Sequence, residues 1–295
     1  MTHSKMRGVV NKFGGSPLGM LESAAPEQFA VFKNVIEAQR KQGIQSVQVL
    51  SAFKKETDRL LNCFCKLIPE FREIYDETIR DKFINLDKFH QKYPRELQSA
   101  CASAILTGEL FSSPVLMGYL LSKGIKAAVI QPSQIIITDD NYLNADIVDI
   151  KTDKIMTALA NDIVPIVPGF QGATANGDLT VTGRNGTDYV AVALAAKLGF
   201  DAILFKDVDG VFDRDPKLGG AKLLRCVSYD FMYGLDESST PVYNKAVKVA
   251  HEFGIDIRVC SLENYLNNPD VCTIITSKDQ VAEMAKEFGG DVCQV

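Results

Sequence analysis

The chain has 295 residues, 46% of them hydrophobic, a formal charge of -5 and three histidines. That length and apolar fraction suit one large domain or two tightly joined lobes around a substantial core. The acidic balance, without a long basic run, argues against a nucleic-acid platform, and three histidines with no pair at helical spacing point away from histidine-centred catalysis or a metal site.

The seven cysteines, at positions 63, 65, 101, 226, 260, 272 and 293, form no even framework, and Cys63 and Cys65 lack a second ligand pair for zinc. A reducing cytoplasm is therefore the expected compartment. The basic residues of the N-terminus have no apolar h-region behind them, and no run approaches about 18 consecutive apolar residues. The expectation is a soluble, non-secreted chain with no membrane partner.

In chain order, apolar and β-branched runs at 8–10, 46–50, 127–130, 135–137, 163–167, 202–205, 255–259 and 273–275 read as strands. They lack clean polar alternation, as strands buried on both faces do. Residues 26–42 carry Phe29, Phe32, Val35 and Ile36 at helical spacing and stop at Gly43, and 95–121 supports one or two more helices. This strand–helix alternation predicts an α/β fold, a three-layer sandwich with a largely parallel central sheet. No repeat or linker divides the chain, so 1–295 reads as one domain, with a softer boundary near Gly199 between lobes of about 1–200 and 201–295. In such sheets ligands gather beyond the carboxyl ends of the strands.

The first strand leads into Asn11-Lys12-Phe13-Gly14-Gly15-Ser16. Adjacent glycines free backbone N–H groups to face an anion and the lysine adds a point charge, which suits a phosphate as well as a plain turn; the Walker A spacing is absent. Ser51 to Asp58 follows the second strand. Its hydroxyls suit a carboxylate, although Thr57 and Asp58 as helix caps are favoured by spacing alone. Glu109 interrupts an apolar, small-residue helical stretch, where it either meets an ammonium group or is solvated.

Gly169-Phe170-Gln171-Gly172 looks like a hairpin excursion, and Gly183-Arg184-Asn185-Gly186-Thr187-Asp188-Tyr189 opens an alanine-rich helix over 190–198. An arginine at a helix N-terminus offers a fork for a carboxylate or phosphate, while Asp188 also reads as an N-cap. Lys206 to Lys217 is rich in aspartate, but its spacing fails the calcium-loop pattern and fits a nucleotide-binding loop better.

Together and in this order the loops resemble those of the aspartokinase group of amino-acid kinases across about the whole chain. Lys12-Phe13-Gly14-Gly15-Ser16 is similar to K-F-G-G-T/S, Leu50-Ser51-Ala52 with Thr57 to V-S-A…T, and Gly108-Glu109 to G-E. The 169–172 segment is similar to G-F-x-G, the 183–189 segment to G-R-G-G-S-D-Y/F, and 207–216 to D-V-D-G-V/I-Y…D-P. The resemblance implies ATP-dependent phosphorylation of the side-chain carboxylate of L-aspartate, with Mg2+ on the phosphates. It assigns Lys12 to the transferring phosphoryl group and Asp188 to orienting that lysine. It assigns Ser51, Thr57, Glu109, Arg184 and Thr187 to the amino-acid substrate. Gly14, Gly15, Ser16, Lys206, Asp207, Phe212, Asp215 and Lys217 fall to the nucleotide, and a homodimer is compatible with it.

Several positions depart from the pattern. Pro17 follows Ser16, Lys54-Lys55 fills a normally small, Gly-rich turn, Lys206 replaces a threonine, and Lys217 replaces an arginine. Thr240 stands for a nucleotide-contacting lysine unless Lys245 substitutes. The departures keep open a different acceptor, or a binding protein without turnover. The resemblance ends where regulatory ACT repeats normally begin, so regulation through them is not expected within these residues.

Overall fold

The computed structural model describes residues 7–20, 26–70, 73, 92–183, 185–215, 219–235, 240–289 and 292–295. Its strands are β1 (Gly8–Phe13), β2 (Gln45–Leu50), β3 (Ala127–Val129), β4 (Ile136–Thr138), β5 (Ile147–Ile150), β6 (Val164–Pro168), β7 (Gln171–Thr174), β8 (Leu179–Val181), β9 (Asp201–Phe205), β10 (Val211–Phe212), β11 (Leu223–Leu224), β12 (Cys226–Ser228), β13 (Ile257–Cys260), β14 (Thr273–Thr276) and β15 (Cys293–Gln294). The helices are α1 (Gly15–Leu18), α2 (Pro26–Lys41), α3 (Glu56–Leu67), α4 (Arg95–Ile105), α5 (Thr107–Ser122), α6 (Asp153–Ala160), α7 (Gly186–Leu198), α8 (Tyr229–Gly234), α9 (Asn244–Phe253), α10 (Leu262–Asn267) and α11 (Lys278–Phe288).

Nine strands form one sheet in the order β15-β12-β14-β13-β9-β1-β2-β6-β3, parallel throughout except for the β13–β14 pair. Strand residues alternate between its two faces, and each face is covered. Val10, Val47, Val49 and Leu204 pack with residues of α6, α7 and α9 on one side. Phe13, Leu50, Ile166 and Phe205 pack with α2 and α5 on the other. The expected three-layer α/β sandwich is thus the architecture.

The run at 135–137 departs from expectation. It forms β4 of a separate four-stranded sheet, ordered β5-β4-β7-β8, rather than joining the main one. A three-residue apolar run carries no information about which sheet it joins. The excursion after β6 is a hairpin as expected, with β7 and β8 antiparallel.

Arg95–Ser122 is one nearly continuous helical run, with a most apolar window of mean hydropathy 1.4. By length and composition it could cross a bilayer. Here 44% of that window is buried within the protein, against the sheet and α3, and Pro114 lies inside α5.

The cysteines also correct their reading. Cys226 on β12 and Cys293 on β15 form a disulfide across 67 residues of sequence. The two strands pair in parallel with these cysteines in register, a proximity that no spacing pattern announces.

Candidate active site

Strand alternation explains where the site begins. In β1, Asn11 and Phe13 point toward α2: Asn11 Nδ2 donates to Gln39 Oε1 at 2.8 Å, and Phe13 meets Phe32 edge-on. Lys12, between them, must face the other way, toward α7. On neighbouring β9, Phe13 aligns with Phe205, and the two rings stack with centroids 4.8 Å apart. Lys206 is the next residue, so its side chain also turns toward α7.

Both lysines meet Asp188. Lys12 Nζ lies 3.0 Å from Oδ1 and off the hydrogen-bond line, a charge contact, while Lys206 Nζ donates to Oδ2 at 2.6 Å. Burial lowers the Lys12 pKa to about 8, aided by the Lys206 charge and opposed by Asp188. Burial opposes ionisation of Asp188, but the two lysine charges outweigh it and hold the carboxyl below its usual range.

Asp188 is not the N-cap of α7. Asn185 holds that position in a left-handed conformation, φ 59°, with no side-chain cap bond, and Asp188 lies in the buried first turn. The short polar Asn side chain tolerates such backbone. The helix therefore starts early enough to carry Asp188 beneath the strand ends.

A cavity of about 370 Å3 opens at these ends. Lys12, Gly14, Gly15 and Ser16 line it from the first strand–helix turn, and Ser51 to Lys55, Thr57 and Asp58 from the second. Glu109, Phe170, Asn185, Gly186 and Thr187 complete it. The two turns touch: a Cβ on Gly15 would stand 3.0 Å from the Ala52 carbonyl, so a side chain there would press the turns apart by a few tenths of an ångström. Gly169 is more tightly constrained, since a Cβ there would stand 2.3 Å from Thr187 Cγ2. Ser51 Oγ donates to Thr187 Oγ1 at 3.1 Å, joining the second turn to α7.

Thr57 lines the cavity instead of capping α3. The cap position belongs to Lys55, in the left-handed region at φ 63° and without a capping side chain. Glu109, far from solvated, is 4% exposed. The Ala52 N–H donates to its Oε1 at 3.2 Å, and Oε2 has no hydrogen-bond partner among the described residues. Burial pushes its carboxyl up to about 8, against the pull of the Ala52 N–H. The cavity thus reaches a buried cationic cluster through Lys12, the member of it that lines the wall, and holds an under-satisfied buried carboxyl, equipment for a zwitterionic acceptor beside an anion.

Lys206, Asp207, Phe212 and Asp215, in and after the turn that follows β9, are not part of the cavity lining. Asp207 and Asp215 are exposed and Phe212 is half-buried on β10. Asn264 Nδ2 donates to Asp209 Oδ1 at 2.6 Å, and Lys222 N to Asp213 Oδ1 at 2.8 Å. Arg184 and Lys217 lie outside the described residues. Neither Lys245 nor Thr240 lines this cavity: Lys245 Nζ donates to Asp146 Oδ1 at 2.7 Å, and Thr240 Oγ1 donates to the Val242 carbonyl. Phe53, Phe170 and Asn185 line the cavity without having been singled out; Phe170 and Asn185 stood in quoted motifs, whereas Phe53 had only its place in the loop after the second strand.

The profile of the Amino acid kinase family matches residues 7–261. Aspartokinase of Geobacillus stearothermophilus is 34% identical over 263 residues, 87% of this chain and 57% of that protein. Among solved structures, aspartate kinase from Synechocystis superposes with a TM-score of 0.68 at 26% identity, covering 92% of this chain and 40% of that one. E. coli aspartokinase III in complex with aspartate and ADP gives 0.69 at 18% identity, covering 92% and 64%, a likeness of fold. This chain therefore spans less than two thirds of the length of each.

Proposed function

Because this chain belongs to the amino acid kinase family, we propose that it transfers the γ-phosphoryl group of MgATP to the side-chain carboxylate of L-aspartate or a close analogue. The observation that carries this reading is the cavity that joins the Lys12–Asp188 pair to buried Glu109. The similar aspartokinases, one of them solved with aspartate and ADP, support the same substrates.

The chemistry suits a site without histidine. An ionised carboxylate is already a nucleophile, so the protein needs to position the reactants and offset charge rather than abstract a proton. Lys12 would neutralise the transferring phosphoryl group, and Asp188 would hold that ammonium in place. Glu109 would receive the acceptor's ammonium, with Ser51, Thr57 and Thr187 supplying hydroxyls; the resemblance assigns Arg184 to a substrate carboxylate. Gly14, Gly15 and Ser16 would line the phosphates, and Lys206, Asp207, Phe212, Asp215 and Lys217 would serve the nucleotide side. Mg2+ would be carried by the nucleotide phosphates, where it would neutralise charge.

A second reading keeps the reaction and changes the acceptor. Lys54 and Lys55 line the cavity where the resembling family has small residues, which favours an acceptor with more negative charge than aspartate. The test is acyl phosphate trapped with hydroxylamine, with MgATP and a panel of aspartate, glutamate and β-modified aspartates. Aspartate-dependent signal lost in Lys12→Met supports the main reading, signal confined to an analogue supports the second, and silence throughout overturns both.

A further inference from the structure

Two ammonium groups share one buried carboxylate: Lys12 and Lys206 lie 3.0 and 2.6 Å from the two oxygens of Asp188, whose side chain is 1% exposed. One carboxylate offsets one of these charges, so the cluster carries a net positive charge when both lysines are protonated. A surplus charge with side chains only 8% and 15% exposed is costly unless an anion completes it. The two lysines arrive on adjacent strands, with Phe13 and Phe205 stacked beneath them, so their spacing is built into the sheet.

We propose that Lys206 is a second phosphoryl-facing cation, held on Asp188 in the free protein and turned to the terminal phosphates of the nucleotide when it binds beside Lys12. The assignment deepens the kinase reading above and rests on it. In the transfer, an oxygen of the acceptor carboxylate bonds to the γ-phosphorus while the bond from that phosphorus to the β–γ bridging oxygen breaks. The electron pair leaves with that oxygen on ADP, and no proton moves. Lys206 offsets the charge gathering on the leaving phosphates while Asp188 keeps Lys12 aligned. Lys245 reaches Asp146 rather than Asp188, and Thr240 has no charge, so among the described residues Lys206 is the lysine that shares Asp188 with Lys12.

The test compares Lys206→Met and Lys206→Arg with the wild type in the trapping assay, with thermal melting as a control for folding. Lys206→Met should lower kcat on the order of a hundredfold, with Lys206→Arg recovering part of it. The alkaline limb of kcat/KM should also move to higher pH in Lys206→Met, because Lys12 then loses a neighbouring positive charge and keeps Asp188 to itself. That limb moves whatever the role of Lys206, so the deciding readout is kcat at saturating nucleotide, which a purely structural ion pair would lower only in step with the unfolded fraction. Unchanged kcat, or a loss matched by the unfolded fraction, overturns the proposal.

Should the wild type make no acyl phosphate, the kinase reading fails separately, and calorimetry with ADP and with a non-hydrolysable ATP analogue decides the role of Lys206. Selective weakening of the analogue in Lys206→Met sustains a terminal-phosphate contact. Equal weakening, no change or no nucleotide binding overturns it.

Discussion

Glu109 illustrates how a binding group burdens the free protein. Its carboxyl titrates near 8 in the fold and near about 4.3 when unfolded, so the folded state binds the proton more tightly. Stability should therefore fall as pH rises from about 4.3 toward 8 and then level off. Glu109→Gln removes that term and should stabilise the unliganded protein by roughly 1–3 kcal/mol at pH 7, measured by denaturant unfolding. Under the proposed function, an arriving ammonium would draw the pKa back down. Calorimetry in buffers of differing ionisation enthalpy should then record about one proton released per acceptor bound at pH 7, and none in Glu109→Gln. The sequence marks Glu109 as an odd residue in an apolar helix but leaves its burial open, because burial depends on the approach of Ala52 from a distant turn. Asp188 is similar: an acidic residue near a helix start reads as a cap, and only the meeting of β1, β9 and α7 makes it a shared counter-charge.

At the scale of elements, the parallel core was legible because strands covered on both faces need continuous apolar runs, as at 46–50 and 163–167. The helix over 26–42 was equally plain, since α2 buries Phe29, Phe32, Val35 and Ile36. Less legible were β10, β11 and β15, each two residues long, and the reversal of β14 against β13, for which local periodicity holds no signal. The ends of β1 and β9 matter most to the site. Phe13 and Phe205 stack with each other, and Tyr265 meets Phe205 edge-on at 5.2 Å. Phe205→Ala should destabilise the protein by about 3–5 kcal/mol. It should also lower kcat beyond the effect of the unfolded fraction, because the cavity left behind loosens the spacing of Lys12 and Lys206. Thermal melting and turnover on the same preparation separate the two effects.

Over the whole molecule, five separate stretches of sequence reach the cavity, and the order of the motifs along the chain identified the set more surely than any one of them. Their separation in space was not legible: the 207–215 stretch lies apart from the cavity lining, although its motif is as clear as the others. Sequence motifs report which residues belong to one kind of protein, while distance is decided by the strand order that no motif contains.

The Cys226–Cys293 bond carries a consequence for how copies of the chain behave together. β15 is two residues long and is the outermost strand of the sheet, lying against β12. So short a strand is easily lost once the sulfurs part, which would leave β12 with a row of unpaired N–H and C=O groups, a template for another chain. The disulfide thus pins β15 over the edge of β12. Reduced protein at high concentration should scatter light as it self-associates while oxidised protein stays dispersed, and Cys293→Ser should behave as the reduced form without any reductant.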